Sequence, residues 1–132
     1  MQLAQYARAY KTNSISTVSP GSIVLMLFDS ALGSISLALE GFELSRPVER
    51  NEKIHNGLTK AIQVLSVLQA ALDLSVEGEF PSRMYALYDF MISELQKSNS
   101  RKASESVLVV RGMLQEIRDA WSEMLINELA SA

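Results

Sequence analysis

Four long stretches of this chain repeat apolar residues at steps of three and four, the spacing of one face of an α-helix. They predict helices over about Pro20–Leu44, Val48–Leu74, Pro81–Ser98 and Arg101–Leu129. Proline stands at or next to the start of the first three, where its missing N–H breaks no intrahelical hydrogen bond. No alternation of apolar and polar residues typical of strands competes. Because the connections are short, the pattern predicts an all-α fold, an antiparallel four-helix bundle.

Each predicted helix contributes one apolar stripe to the core. Ser19 is the expected N-cap of the first helix. Gly33 and Gly41 are interpreted as points of close helix approach, since glycine inside a helix costs about 1 kcal/mol relative to alanine. The stripes are Val24, Phe28, Ala31, Ile35, Ala38 and Phe42; Ile54, Leu58, Ala61, Leu65, Leu68 and Leu72; Met84, Leu87, Tyr88, Met91 and Leu95; and Ala103, Val107, Val110, Leu114, Ile117, Trp121 and Met124.

The first 18 residues differ from the rest. The domain prediction is an N-terminal arm or cap over residues 1–18 and the bundle over residues 19–130. Leu3, Tyr6 and Tyr10 stand at helical spacing in the arm, which is long enough for one or two helical turns. A short isolated helix is marginal in water unless its apolar face docks on something. We therefore expect the arm to cover an apolar surface or to bind a partner.

Composition excludes several kinds of site. The 132 residues include no cysteine and one histidine, so a disulfide framework, a thiolate nucleophile and a zinc–sulfur cluster are excluded. The net charge of −3 argues against nucleic acid as a partner. The most apolar run, Ile23–Phe28, falls far short of the roughly 20 residues that span a bilayer, and no secretory signal is visible. We expect no membrane insertion and a cytoplasmic location.

Catalytic and cofactor motifs are weak. Glu52 and His55 form a Glu-x-x-His sequence, but a di-iron bundle needs a second such motif and the chain has no second histidine. A phosphate-binding glycine loop and a Gly-x-Ser-x-Gly elbow are also missing. We expect a protein that is not an enzyme and has no metal site and no cofactor.

Apolar residues remain outside the stripes of the second and fourth helices. They have two interpretations: a wide core face, which is common in bundles, or a hydrophobic surface groove for a partner helix. The candidate partner-binding residues are Val64, Val67, Ala71, Leu108, Val109 and Met113.

Four short segments, in this order, resemble the FliS family of flagellar secretion chaperones over nearly the whole chain. They are Tyr-Ala-Arg-Ala-Tyr at 6–10, Thr-Val-Ser-Pro-Gly leading into Leu-Met-Leu-Phe-Asp over 17–29, Leu-Tyr-Asp-Phe-Met at 87–91, and Ile-Arg-Asp-Ala-Trp at 117–121. Phe28 and Val18 depart from the family pattern, which usually has tyrosine and alanine there.

The resemblance implies an export chaperone. Such a protein binds the C-terminal segment of flagellin, disordered when free, in hydrophobic surface grooves. It prevents premature polymerisation and supports delivery to the flagellar type III export gate; other flagellar regulators are possible further partners. The arm would cover part of the groove until flagellin binds. The alternative is a structural or regulatory bundle that self-associates through its apolar stripes.

Overall fold

A computed structural model describes residues 19–131, which form four α-helices and, within that range, no strand. The helices are α1 (Pro20–Phe42), α2 (Pro47–Ala70), α3 (Phe80–Arg101) and α4 (Glu105–Ser131). Each packs against the next along the chain, and α4 packs back against α1, which closes a ring of four. The predicted all-α four-helix bundle is confirmed.

Pairs of residues between neighbouring helices show their antiparallel arrangement. Near the end of α2, the Gln69 amide donates to Asp89 in the first half of α3 at 2.8 Å. Near the start of α2, the His55 ring lies 2.9 Å from the Asn99 amide at the end of α3. Later residues of α2 therefore meet earlier residues of α3, as short connections require.

Proline marks the helix starts, as expected. Pro20 and Pro47 are the first residues of α1 and α2, and Pro81 is the second residue of α3. The hydroxyl of Ser19 accepts a hydrogen bond from the Ser22 backbone N–H at 3.2 Å. This bond satisfies one of the free N–H groups in the first turn and confirms the predicted N-cap.

The end of the second helix was predicted too late. α2 ends at Ala70 rather than at Leu74. Beyond it, the carboxylate of Asp73 accepts hydrogen bonds from the backbone N–H and the hydroxyl of Ser75. Aspartate side chains that bond two residues ahead favour a turn over further helix.

The boundary between the third and fourth helices was also wrong. Asn99 and Ser100 were expected to interrupt the helix, yet α3 continues through them to Arg101. It ends because Lys102 adopts the left-handed conformation with φ 49°, which glycine usually occupies at this position. The fourth helix consequently begins at Glu105 instead of Arg101.

The core follows the predicted stripes. Most of their residues are buried, while Phe42, Leu87, Ile117 and Met124 are partly buried against the same cluster. Phe28 is fully buried and meets Trp121 edge to face at 6.2 Å between ring centroids. The aromatic ring at position 28 thus serves packing, for which no hydroxyl is required.

Two glycines bring α1 and α2 close together. A Cβ at Gly57 would lie 2.7 Å from the Ser34 carbonyl oxygen, and one at Gly41 would lie 2.9 Å from the Ile54 backbone nitrogen. The close approach expected at Gly41 is confirmed. The same expectation for Gly33 is wrong, because a Cβ there would meet nothing within 4 Å.

The predicted N-terminal arm, with Leu3, Tyr6 and Tyr10, lies outside the described residues. The described residues begin at Ser19, immediately before α1.

Candidate partner-binding surface

Two of the three candidate residues, Val64 on α2 and its C-cap Ala71, lie on the side of that helix that faces α1. Val64 and Ala71 follow Gly57 by two and four helical turns, and Gly57 contacts the α1 backbone. Val64 and Ala71 are partly buried against the core, whereas Val67 is 56% exposed. On α2 the candidate line is therefore partly core and partly surface, and Val67 is its accessible member.

The candidate residues on α4 divide in the same way. Leu108 is 46% exposed and Val109 54% exposed, while Met113 is partly buried against the core. Leu108 lines an open cleft together with Leu39 and Phe42 of α1. Leu108 therefore borders α1.

The six residues do not line one common groove. Their two helices, α2 and α4, occupy opposite corners of the ring, and each packs against α1 and α3. Of the accessible residues, Leu108 borders α1, whereas Val67 is exposed on α2, the other helix that packs against α1. A partner that touched both of them would have to cross the outer face of α1 or that of α3.

The outer face of α1 carries apolar residues that the sequence interpretation assigned to no site. Met26 is 63% exposed and Leu37 51% exposed, one on each side of Gly33 along the helix. Only 33% of the most apolar 18-residue window of α1 is buried. The available signal was that α1 has more apolar residues, Met26 and Leu37 among them, than a single core stripe needs.

The same helix is the one candidate membrane span within residues 19–131, judged by length and composition alone. Its inward side has a different use, because Phe28, Ile35 and Ala38 are completely buried in the bundle core. The core explains the apolar inward side of α1 and leaves the outward side to be explained.

Polar contacts fix α1 against α4 beside this face. The Trp121 indole N–H donates to the Gly21 carbonyl oxygen at 2.8 Å, and Arg118 Nε donates to an Asp29 carboxylate oxygen at 2.7 Å. The hydrogen bond that Arg118 donates to the Asp29 carboxylate raises the pKa of Arg118 above its usual value. The partly exposed ion pair adds little stability, but the indole bond is buried and sets the axial position of α1.

Among residues 19–131, no further side chains that could bind a metal ion gather around Glu52 and His55. The His55 ring pairs with Asn99, and both His55 and Glu52 are exposed on α2. Across residues 19–131 no three histidine or acidic side chains converge as a metal site would require. The arrangement fits a solvated histidine.

Comparisons with known proteins agree on one family. The family model described as "Flagellar protein FliS" matches residues 2–128. A flagellar secretion chaperone FliS of Bacillus subtilis is 31% identical over 120 residues, which cover 91% of this chain and 86% of the relative. Its counterpart in Salmonella typhimurium is 31% identical over 120 residues, covering 90% and 86%. The Escherichia coli protein of that name is 29% identical over 125 residues, covering 92% and 88%.

Proposed function

The chain belongs to the FliS family of flagellar secretion chaperones, and from this membership we propose that it binds the C-terminal segment of flagellin before export. The proposed role is to cover the apolar faces of that segment in the cytoplasm. Flagellin would then be kept from polymerising and be passed to the flagellar type III export gate. Further flagellar regulators would have access to the same surface.

The observation that carries this proposal is the apolar surface spread across neighbouring helices. Val67 on α2, Leu37 on α1 and Leu108 on α4 are each about half exposed although the bundle has a complete core beneath them. Exposed apolar groups on several adjacent helices suit a partner that wraps around the bundle. A segment that is disordered when free can do so, since its ordering cost is offset over a large contact area.

In the proposed mechanism the chaperone provides an apolar binding surface and catalyses no reaction. Binding replaces contacts that flagellin subunits would otherwise make with one another by contacts with the chaperone. The cost of ordering the segment lowers the affinity per unit of buried area, and this keeps the complex reversible for release at the export gate. No nucleotide, metal or other cofactor takes part in this scheme.

The N-terminal arm would regulate access. In the proposal, Leu3, Tyr6 and Tyr10 cover part of the apolar surface until flagellin displaces them. A competitor in the same chain lowers the apparent affinity in proportion to the fraction of molecules whose surface is free. Two versions of the proposal remain, one in which the arm only caps the surface and one in which its tyrosines also contact flagellin.

The test is binding of the purified full chain to the C-terminal segment of flagellin from the same organism. The proposal predicts a complex at micromolar concentration and slower polymerisation of flagellin when the chaperone is present. Self-association of the chain without any binding of the segment would contradict the proposal and favour the alternative of a self-associating bundle. Analytical ultracentrifugation of the chain alone and of the mixture separates the two outcomes.

A further inference from the structure

The middle of α2 contains the only asparagine of this chain that is followed by glycine, Asn56 before Gly57. The backbone nitrogen of a following residue can attack an asparagine side chain and close a five-membered succinimide ring. Glycine hinders this attack least, because it has no Cβ and leaves the backbone most freedom to rotate. By sequence alone, Asn56 is therefore the asparagine of this chain that is most prone to deamidation.

The helix holds this pair in a conformation that prevents the attack. Gly57 lies inside α2, so its N–H is committed to the i→i−4 hydrogen bond with the Lys53 carbonyl oxygen. A helical side chain points back toward the N-terminal end of its helix, which directs the Asn56 amide away from the Gly57 nitrogen. The reaction therefore requires α2 to open locally around Asn56.

The main chain beside Asn56 has no room for an additional atom. A Cβ at Gly57 would lie 2.7 Å from both the Ser34 carbonyl oxygen and the Ala38 nitrogen of α1. The next residue, Leu58, is completely buried in the core. A main chain lengthened just before Gly57 would move either the glycine out of the α1–α2 contact or Leu58 out of its packed position.

We propose that Asn56 is a site of spontaneous deamidation that reacts only when α2 opens, and that its isoaspartate product prevents the α1–α2 contact from forming again. Water, the second reactant, reaches Asn56 because the residue is exposed at an open cleft between α1 and α2. The proposal concerns the chain itself and does not depend on the proposed function.

The chemistry has two steps. In the first, the Gly57 nitrogen bonds to Cγ of Asn56, the Cγ–Nδ2 bond breaks, and the side-chain amide leaves as ammonia with the proton of the Gly57 N–H. In the second, water cleaves one of the two ring bonds to the Gly57 nitrogen. Cleavage at Cγ gives aspartate with a normal main chain. Cleavage at the Asn56 carbonyl carbon leaves the main chain running through Cβ and Cγ, which adds one methylene group.

The first test compares deamidation of the full chain, folded in buffer and unfolded in guanidinium chloride, at one pH and temperature. Trypsin releases peptides 54–60 and 119–132, which contain one asparagine each, Asn56 and Asn127. Mass spectrometry should show Asn56 reacting at least about tenfold faster in the unfolded chain, because opening of a packed helix limits the folded one. Asn127, which precedes glutamate, is the internal control and should react more slowly than Asn56 when both are unfolded.

Two results of this test would overturn the inference. One is an equal rate for Asn56 in the folded and the unfolded chain, which would mean that the helix gives no protection. The other is a rate for Asn56 in the unfolded chain no higher than that of Asn127, which would mean that Asn56 is not a preferred site.

The second test asks whether the product refolds. Wild type and Asn56→Gln are held in guanidinium chloride for increasing times, diluted, and followed by far-ultraviolet circular dichroism. The wild type should lose helix in proportion to its isoaspartate content, measured in peptide 54–60. Asn56→Gln should refold fully, because glutamine forms the larger six-membered ring much more slowly.

Asn56→Asp separates the added charge from the longer main chain. Freshly purified, this variant should have the helix content and thermal midpoint of the wild type, because position 56 is exposed. Native helix content in chains that carry isoaspartate at position 56 would contradict the inference, and so would loss of the fold in Asn56→Asp.

Discussion

The close approach of α1 and α2 predicts that alanine has opposite effects on the free energy of unfolding at two helical glycines, Gly57 and Gly33. At Gly57 an added Cβ would meet two α1 backbone atoms, the Ala38 nitrogen and the Ser34 oxygen, both at 2.7 Å. Backbone atoms cannot rotate away, so the two helices must separate. Forced overpacking of this kind costs about 1–3 kcal/mol. The higher helix propensity of alanine relative to glycine offsets about 1 kcal/mol of this cost.

The net expectation for Gly57→Ala is a loss of up to about 2 kcal/mol in the free energy of unfolding. Gly33→Ala meets no atom within 4 Å, so only the gain in helix preference of about 0.5–1 kcal/mol remains. For a chain of this size, 1 kcal/mol corresponds to about 3–5 °C in the thermal midpoint. Gly57→Ala should lower the midpoint and Gly33→Ala should raise it.

The assay is urea unfolding followed by far-ultraviolet circular dichroism, with thermal scans in parallel. Gly112→Ala serves as the control, because Gly112 also lies within a helix and also has open space around it. It should behave like Gly33→Ala. Shifts of the same sign for the variants at Gly33 and Gly57 would refute the close contact between α1 and α2.

Three further predictions address the surface, the α1–α4 contact and one carboxyl group. Val67→Asp should weaken flagellin binding about tenfold with little change in thermal midpoint. Val64→Asp should lower the midpoint clearly, because Val64 packs against the core; equal midpoints would contradict this division. Trp121→Phe removes the indole hydrogen bond to the α1 backbone and should cost about 1–3 kcal/mol in urea unfolding, and an unchanged value would refute its role. A hydrogen bond from Ser106 lowers the pKa of Glu94, so Ser106→Ala should raise that pKa in an NMR titration. The contribution of this bond to stability is present above the pKa of the unfolded chain and is lost as the pH falls through the lowered pKa; an unchanged pKa in the variant rules the bond out.

The bundle could be predicted from the sequence because each helix signals its own core face. The apolar period is local, and proline at the starts of α1 to α3 is a local signal too. The helix ends were harder. α3 ends where Lys102 adopts a left-handed conformation. The sequence does not predict this end, because glycine is the usual residue in that conformation.

The candidate surface could be predicted only in part. The extra apolar residues on α2 and α4 were visible, but their exposure depends on packing, which separates Val67 from Val64. The outer face of α1 was missed because every apolar residue of that helix could have been core. Gly33 was interpreted as a contact within the bundle, and only the positions of the neighbouring helices show that its surroundings are open.

The most direct measurement is isothermal titration calorimetry of the full chain with the C-terminal segment of flagellin at several temperatures, together with circular dichroism of the mixture. The proposed function predicts saturable binding at micromolar concentration or tighter, a negative heat-capacity change from buried apolar surface, and a gain of helix as the segment orders. No heat of binding and a spectrum equal to the sum of the separate components would contradict it.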